Sequence, residues 1–102
     1  MICMRIISVK TLNIFWEDSR YKDSEHSLRA WYAEAKKAVW KNPSQIKTTY
    51  RNASILSNNR VVFNIAGNKY RLVVAVNYDF GIIYIRFVGT HKQYDKIDVE
   101  VI

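Results

Sequence analysis

A chain of 102 residues with 49% hydrophobic and 25% charged side chains can bury one modest core but not two, and its balance excludes a disordered tract; a single domain over residues 1–102 is expected. The formal charge of +7 favours a polyanionic partner and leaves nucleic acid, a membrane surface or an acidic protein as candidates. No run approaches the roughly 18 apolar residues of a bilayer span, MICMRIISVK lacks the apolar block of a signal peptide, and the lone Cys3 suits a reducing compartment, so a cytoplasmic location without membrane contact is expected.

In chain order, residues 4–9 read as a short strand and residues 10–19 as a short helix, with Leu12, Phe15 and Trp16 on one face. Ser24 is a candidate N-cap for a second helix, whose stripe runs Leu28, Trp31, Tyr32, Ala35, Val39 and belongs to the core. His26, in its first turn, reads as an ordinary exposed residue. Pro43, the only proline, either closes this helix or opens the next turn. Three strands follow near 60–66, 69–77 and 82–89, joined as a meander by turns at Gly67-Asn68 and Asp79-Phe80-Gly81. Thr90 then caps a last helix start. Helices followed by antiparallel strands give an α+β class.

Charge is unevenly spread along these elements. Between Glu34 and Asp79 there is no acidic residue, while Lys36, Lys37, Lys41, Lys47, Arg51, Arg60, Lys69 and Arg71 fall in that interval. Such a field attracts polyanions, although a merely solvated basic face has the same composition. Strand alternation sharpens the picture. With Val61, Phe63 and Ile65 toward the helices, Val62, Asn64 and Ala66 point away. On the next strand Tyr70, Leu72, Val74 and Val76 face inward, leaving Arg71, Val73 and Ala75 outside. On the last, Ile83, Ile85 and Phe87 face inward, leaving Ile82, Tyr84, Arg86 and Val88 outside. Asn64, Arg71 and Arg86 are then on one side of the sheet. Arginines on an otherwise apolar strand surface need an anion or a carboxylate such as Asp79, Asp95 or Asp98, and the apolar residues beside them call for a covering segment or a partner.

No Gly-rich phosphate loop, zinc-spaced Cys/His set or nucleophile elbow is present, and acids in the second half are too sparse for a two-metal nuclease. No metal or other cofactor is expected. RNA cleavage needs neither. The substrate's own 2′-hydroxyl attacks the adjacent phosphate if one group takes its proton, another protonates the leaving oxygen, and positive charge steadies the transition state.

"VVFNIAGNKYRLVVAVNYDFGIIYIRFVGTHKQYDKID" closely resembles the HigB toxin family of the RelE-like superfamily, and "LRAWYAEAKKAVWKNPSQIK" resembles its helix and helix-to-sheet connection. The combination of GNKYRL with YIRFVGTHKQYD is the specific part. The resemblance covers about Met4 to Ile97 and implies N-terminal helices packed on a curved antiparallel sheet. It implies a metal-independent mRNA endoribonuclease acting on the translating ribosome. The implied protein partner is a HigA-type helix-turn-helix antitoxin, through which operator DNA would be reached indirectly.

Carried over residue by residue, Arg71 in "KYRL" matches the family's phosphate-binding arginine. His91 stands where RelE-like toxins place a catalytic Arg or His after the last strand, and Tyr94 falls near their C-terminal aromatic. The implied site therefore has Arg71 and Arg86 on the phosphate, His91 as general acid or base and Tyr94 stacking or orienting the nucleotide. Asn64, Asn68, Lys69 and Lys92 would hold the RNA backbone, with Lys36, Lys37, Lys41 and Lys47 on ribosomal RNA. Two other readings are a non-catalytic RNA- or ribosome-binding module and an interaction protein whose sheet accepts a partner's strand or helix.

Overall fold

The computed structural model describes residues 3–102. A short strand, Arg5–Ile7 (β1), leads into helix Lys10–Glu17 (α1), whose buried residues are Leu12, Phe15 and Trp16, as their spacing predicts. The helix ends at Glu17 because Asp18 is extended and its carboxylate accepts from the Arg20 N–H at 2.9 Å, capping a 3₁₀ segment, Ser19–Ser24. Helix Glu25–Lys37 (α2) follows directly. Ser24 stands at its N-cap, but the hydroxyl does not cap; it donates to the Tyr21 carbonyl at 2.6 Å and is buried. Glu25 in the first turn and Lys36 and Lys37 in the last suit the helix dipole, and Glu25 pairs with Arg29 at 2.7 Å.

Leu28, Trp31 and Ala35 carry the buried stripe of α2. Val39 falls beyond the helix, because Ala38 is extended and its carbonyl accepts from the Met4 N–H at 3.0 Å. Pro43 opens rather than closes a helix: it is the first residue of Pro43–Thr49 (α3), with Asn42 accepting from the Gln45 N–H at 3.1 Å. His26 is exposed.

The remaining strands are Ser54–Ile55 (β2), Arg60–Ile65 (β3), Tyr70–Asn77 (β4) and Ile82–Thr90 (β5), in the spatial order β1-β5-β4-β3-β2. The meander β3-β4-β5 is antiparallel as expected, whereas β1 pairs with β5 in parallel and makes the sheet mixed. A parallel pair requires a long crossover, and the helical half of the chain supplies it. The class is α+β. The helices bury one face of the sheet, where Phe63 meets Trp31, Trp40 and Tyr50 with ring centroids 5.4, 6.2 and 5.0 Å away.

One irregularity changes the outer face. The register passes from Val73↔Phe87 to Val74↔Ile85, so Arg86 has no partner and forms a β-bulge. Side-chain parity inverts beyond it. Phe87, expected inward, lies opposite Val73 on the outer face, and Val88, expected outward, packs against the core. Val62 and Val73 face away from the helices yet are only 1% and 0% exposed. Their cover comes from the chain itself: the segment after residue 94 returns to this face, where Asn58 donates to the Glu100 carbonyl at 3.1 Å and Arg60 to the Ile102 carbonyl at 2.5 Å. Ile97, Val99 and Ile102 are half-buried along it.

Candidate active site on the outer face of the sheet

Arg71 and Asn64 are direct cross-strand partners on the outer face, and Arg71 Nη1 donates to Asn64 Oδ1 at 3.3 Å. Asn64 in turn donates to the Asn52 carbonyl at 3.3 Å, which orients its amide oxygen toward the arginine. It borders a hollow of about 800 Å³ whose lining includes Asn52, Gly67 and the exposed Asn68. At the end of β5 a one-turn helix, His91–Tyr94 (α4), folds back over the sheet. Its start is a capping box: Gln93 N–H donates to Thr90 Oγ1 at 3.2 Å while Thr90 N–H donates to Gln93 Oε1 at 2.9 Å. This fixes where the helix residues lie. Tyr94 is brought beneath the Arg71 guanidinium, 5.0 Å from ring centroid to Cζ, and 6.5 Å from the Phe87 ring. The guanidinium is held between an amide and an aromatic face with its plane defined, which suits a bidentate grip on a phosphate.

Two ring or guanidinium nitrogens here, Arg71 Nε and His91 Nε2, are shielded from solvent without a hydrogen-bond partner among the described residues. Leaving such groups unpaired costs about 1–3 kcal/mol each. An arrangement that tolerates this next to a cationic fork is suited to receive anionic oxygens.

Arg71 meets both Asn64 and Tyr94, and His91 lies at the same end of the sheet, directly after the Thr90↔Tyr70 pair. Arg86 is not brought to Arg71. It is exposed at the bulge, with its guanidinium 5.0 Å over the Tyr84 ring. Lys69 is committed to Asp23, which also accepts from the Tyr70 hydroxyl. The Lys69 ammonium, and then the Tyr70 hydroxyl, hold the Asp23 carboxyl below its usual range, while burial, and then Asp23, push the Tyr70 hydroxyl up. Lys47 donates to the carbonyls of Arg51 and Ala53 at 2.6 and 2.8 Å, tying α3 to the approach of β2. Both lysines thus have structural partners. Lys36, Lys37 and Lys41 are exposed in the helical layer, away from Arg71, and Lys92 is exposed on α4.

Sequence reasoning missed Phe87, Gln93 and Asp23. The Thr-x-x-Gln spacing of Thr90 and Gln93 could have revealed the second; nothing local reveals the other two. Gly89, opposite Arg71, is a further one. A Cβ there would stand 2.5 Å from Gln93 Oε1 and 2.6 Å from Phe87 Cζ. Gly89→Ala is therefore expected to cost about 1–3 kcal/mol in chemical denaturation and to break the capping box. Amide hydrogen exchange at Thr90 and Gln93 should rise well beyond the global change, and an unaltered exchange pattern would show that the close approach is not required.

A family model described as HigB_toxin, the RelE-like toxic component of a toxin-antitoxin system, matches residues 24–97. The mRNA interferase toxin HigB of Escherichia coli K12 is 31% identical over 94 residues, covering 90% of this chain and 88% of that protein. The mRNA interferases HigB of Escherichia coli O157:H7 and Shigella flexneri match to the same extent. With the family match spanning most of the chain, the conclusion is direct: this protein belongs to the HigB family of RelE-like toxins, the toxic components of toxin-antitoxin systems.

Proposed function

We propose that the chain is an mRNA endoribonuclease that arrests translation. The reading rests on one arrangement above all: the half-buried Arg71 fork, oriented by Asn64 at 3.3 Å and by the Tyr94 ring at 5.0 Å, with Nε free of any partner among the described residues. The names of the relatives supply the substrate class.

In this reaction the 2′-hydroxyl of one nucleotide attacks the neighbouring phosphate and the bond to the 5′-oxygen breaks, leaving a cyclic phosphate and a 5′-hydroxyl end. Arg71 neutralises the charge that builds on the phosphate oxygens, where a preorganised cation acts most strongly. His91, whose Nε2 has no partner among the described residues, transfers a proton at one end of the reaction, and Tyr94 orients the nucleotide. These groups supply proton transfer and charge without a metal ion. Cleavage takes place on the ribosome, and the exposed Lys36, Lys37 and Lys41 contact its RNA, an association that weakens as salt rises. Lys92 and Asn68 steady the message beside the site. The cognate partner is a HigA-type helix-turn-helix antitoxin that also carries the operator contact, and the toxin works in the cytoplasm.

The test is tightly induced expression of wild type and His91→Ala at equal protein level, with mapping of mRNA 5′ ends. Fresh 5′-hydroxyl ends inside reading frames are expected for wild type, falling by about 10²–10⁴-fold in the variant. Growth arrest by the wild type without new ends would instead identify a ribosome-binding inhibitor.

A further inference from the structure

Beyond the Val73–Phe87 pair, at the opposite end of the outer face from Arg71, lies a cleft of about 420 Å³ whose lining includes Asn58, Arg60, Tyr78, Asp79, Tyr84 and Arg86. It sits level with Ala75, four residues along β4 from Arg71, or about 13 Å at ~3.3 Å per residue. Its charged lining side chains are two arginines and one carboxylate. Arg60 donates to the carbonyls of Asn58 and Ile102 at 2.8 and 2.5 Å, while its Nε and the Tyr78 hydroxyl are shielded without partners among the described residues. Arg86 is exposed and has no ion pair or hydrogen bond among the described residues; its guanidinium stands 5.0 Å over the Tyr84 ring.

Three half-buried aromatic rings connect this cleft to the site already described. Tyr94 stacks under Arg71, Phe87 stands 6.5 Å from Tyr94, and Tyr84 carries Arg86. Cationic groups set beside aromatic faces are what single-stranded nucleic acid binds, the bases stacking and the phosphates meeting the charge. The bulge is what aims Arg86 here: an extra residue re-directs a side chain at the edge of a regular ladder. A guanidinium backed by a ring offers a stacking plane and a donor fork together.

We propose that the cleft between Arg60, Tyr84 and Arg86 is a second subsite for single-stranded RNA, taking one base and one phosphate of the strand away from the scissile bond. The subsite rests on the RNA reading given above. It adds a second contact at the far end of the face, which the strand reaches by passing over the segment that covers Val62 and Val73.

Fluorescence anisotropy with uncleavable 2′-O-methyl RNA, as a trimer and an octamer, tests it on the purified protein. The wild type binds the octamer more tightly than the trimer. Arg86→Ala lowers the octamer-to-trimer affinity ratio by about tenfold and reduces the salt slope for the octamer by about one. Arg86→Lys keeps the slope but not the ratio, because the ammonium cannot stack. Asp79→Asn raises octamer affinity by removing the one carboxylate of the cleft. An unchanged ratio in Arg86→Ala, or equal losses for both lengths, overturns the subsite. Equal binding of both lengths by the wild type overturns it too and leaves the Arg71 site standing. If neither length binds the wild type, the RNA reading itself falls.

Discussion

Replacing Arg71 with alanine is expected to slow RNA cleavage by about 10²–10³-fold, the usual cost of removing one preorganised donor from a developing oxyanion, while the protein remains folded. The fold does not depend on this side chain. Arg71 is only half-buried, its single hydrogen bond among the described residues is the 3.3 Å contact to Asn64, and Asn64 keeps its bond to the Asn52 carbonyl when the arginine is gone. Tyr94 loses a cation over its ring, worth about 0.5–1 kcal/mol at such a site. The melting temperature should therefore move by only a few degrees, while single-turnover cleavage collapses. Arg71→Lys separates charge from geometry: it retains the cation but loses the planar fork, so partial activity is expected. A cleavage loss matched by a large loss of stability would make Arg71 a structural residue and remove the main support for the nuclease.

The largest effect on stability is expected at the other face of the sheet. Phe63→Ala should cost about 3–5 kcal/mol, a large share of the roughly 5–15 kcal/mol that a domain has in total. Phe63 is 1% exposed, and its ring is the one that Trp31 of α2, Trp40 of the following loop and Tyr50 after α3 all meet. Truncation opens a cavity that three large rigid rings cannot close, so the relaxation that softens other core substitutions is small. At about 4–8 °C per kcal/mol for a domain of this size, the midpoint should fall far enough for the variant to be partly unfolded at growth temperature. Phe63→Leu, which keeps most of the volume, should recover most of the loss. A shift of only a degree or two for alanine would mean that the ring cluster packs loosely.

The contrast between those faces shows what the sequence carries. Periodicity sees local repetition, and the stripes of Leu12, Phe15 and Trp16 and of Leu28, Trp31 and Ala35 are repeated at helical spacing because one side of each helix must be buried. The β-branched runs of β3, β4 and β5 are legible for the same reason. What is decided at long range is not. The pairing of β1 with β5 joins residues near both ends of the chain. The cover over Val62 and Val73 is recognisable as a need, from apolar residues on an outward face, but not as the segment after α4. Lysines look alike in sequence, and only the fold sets Lys69 on Asp23 and Lys47 on two carbonyls. Of the site, Arg71 and Tyr94 come together, and their contact depends on the helix that Thr90 and Gln93 begin. Phe87 and Val88 fall on the faces opposite to those expected because a period-two count cannot register an extra residue.

That extra residue leaves the ladder around it whole. Strike Arg86 from β5 and the partners that remain already follow in unbroken order, Ile85 on Val74, Phe87 on Val73, Val88 on Leu72 and Gly89 on Arg71. The strand is thus one residue longer than its pairing demands, and the surplus side chain has no hydrogen bond among the described residues and no place in the core to limit its identity. Drift at this position is therefore cheap for folding, so selection acting on it answers to whatever the outer face touches. In this sheet, the place least constrained by architecture is the place most open to adaptation.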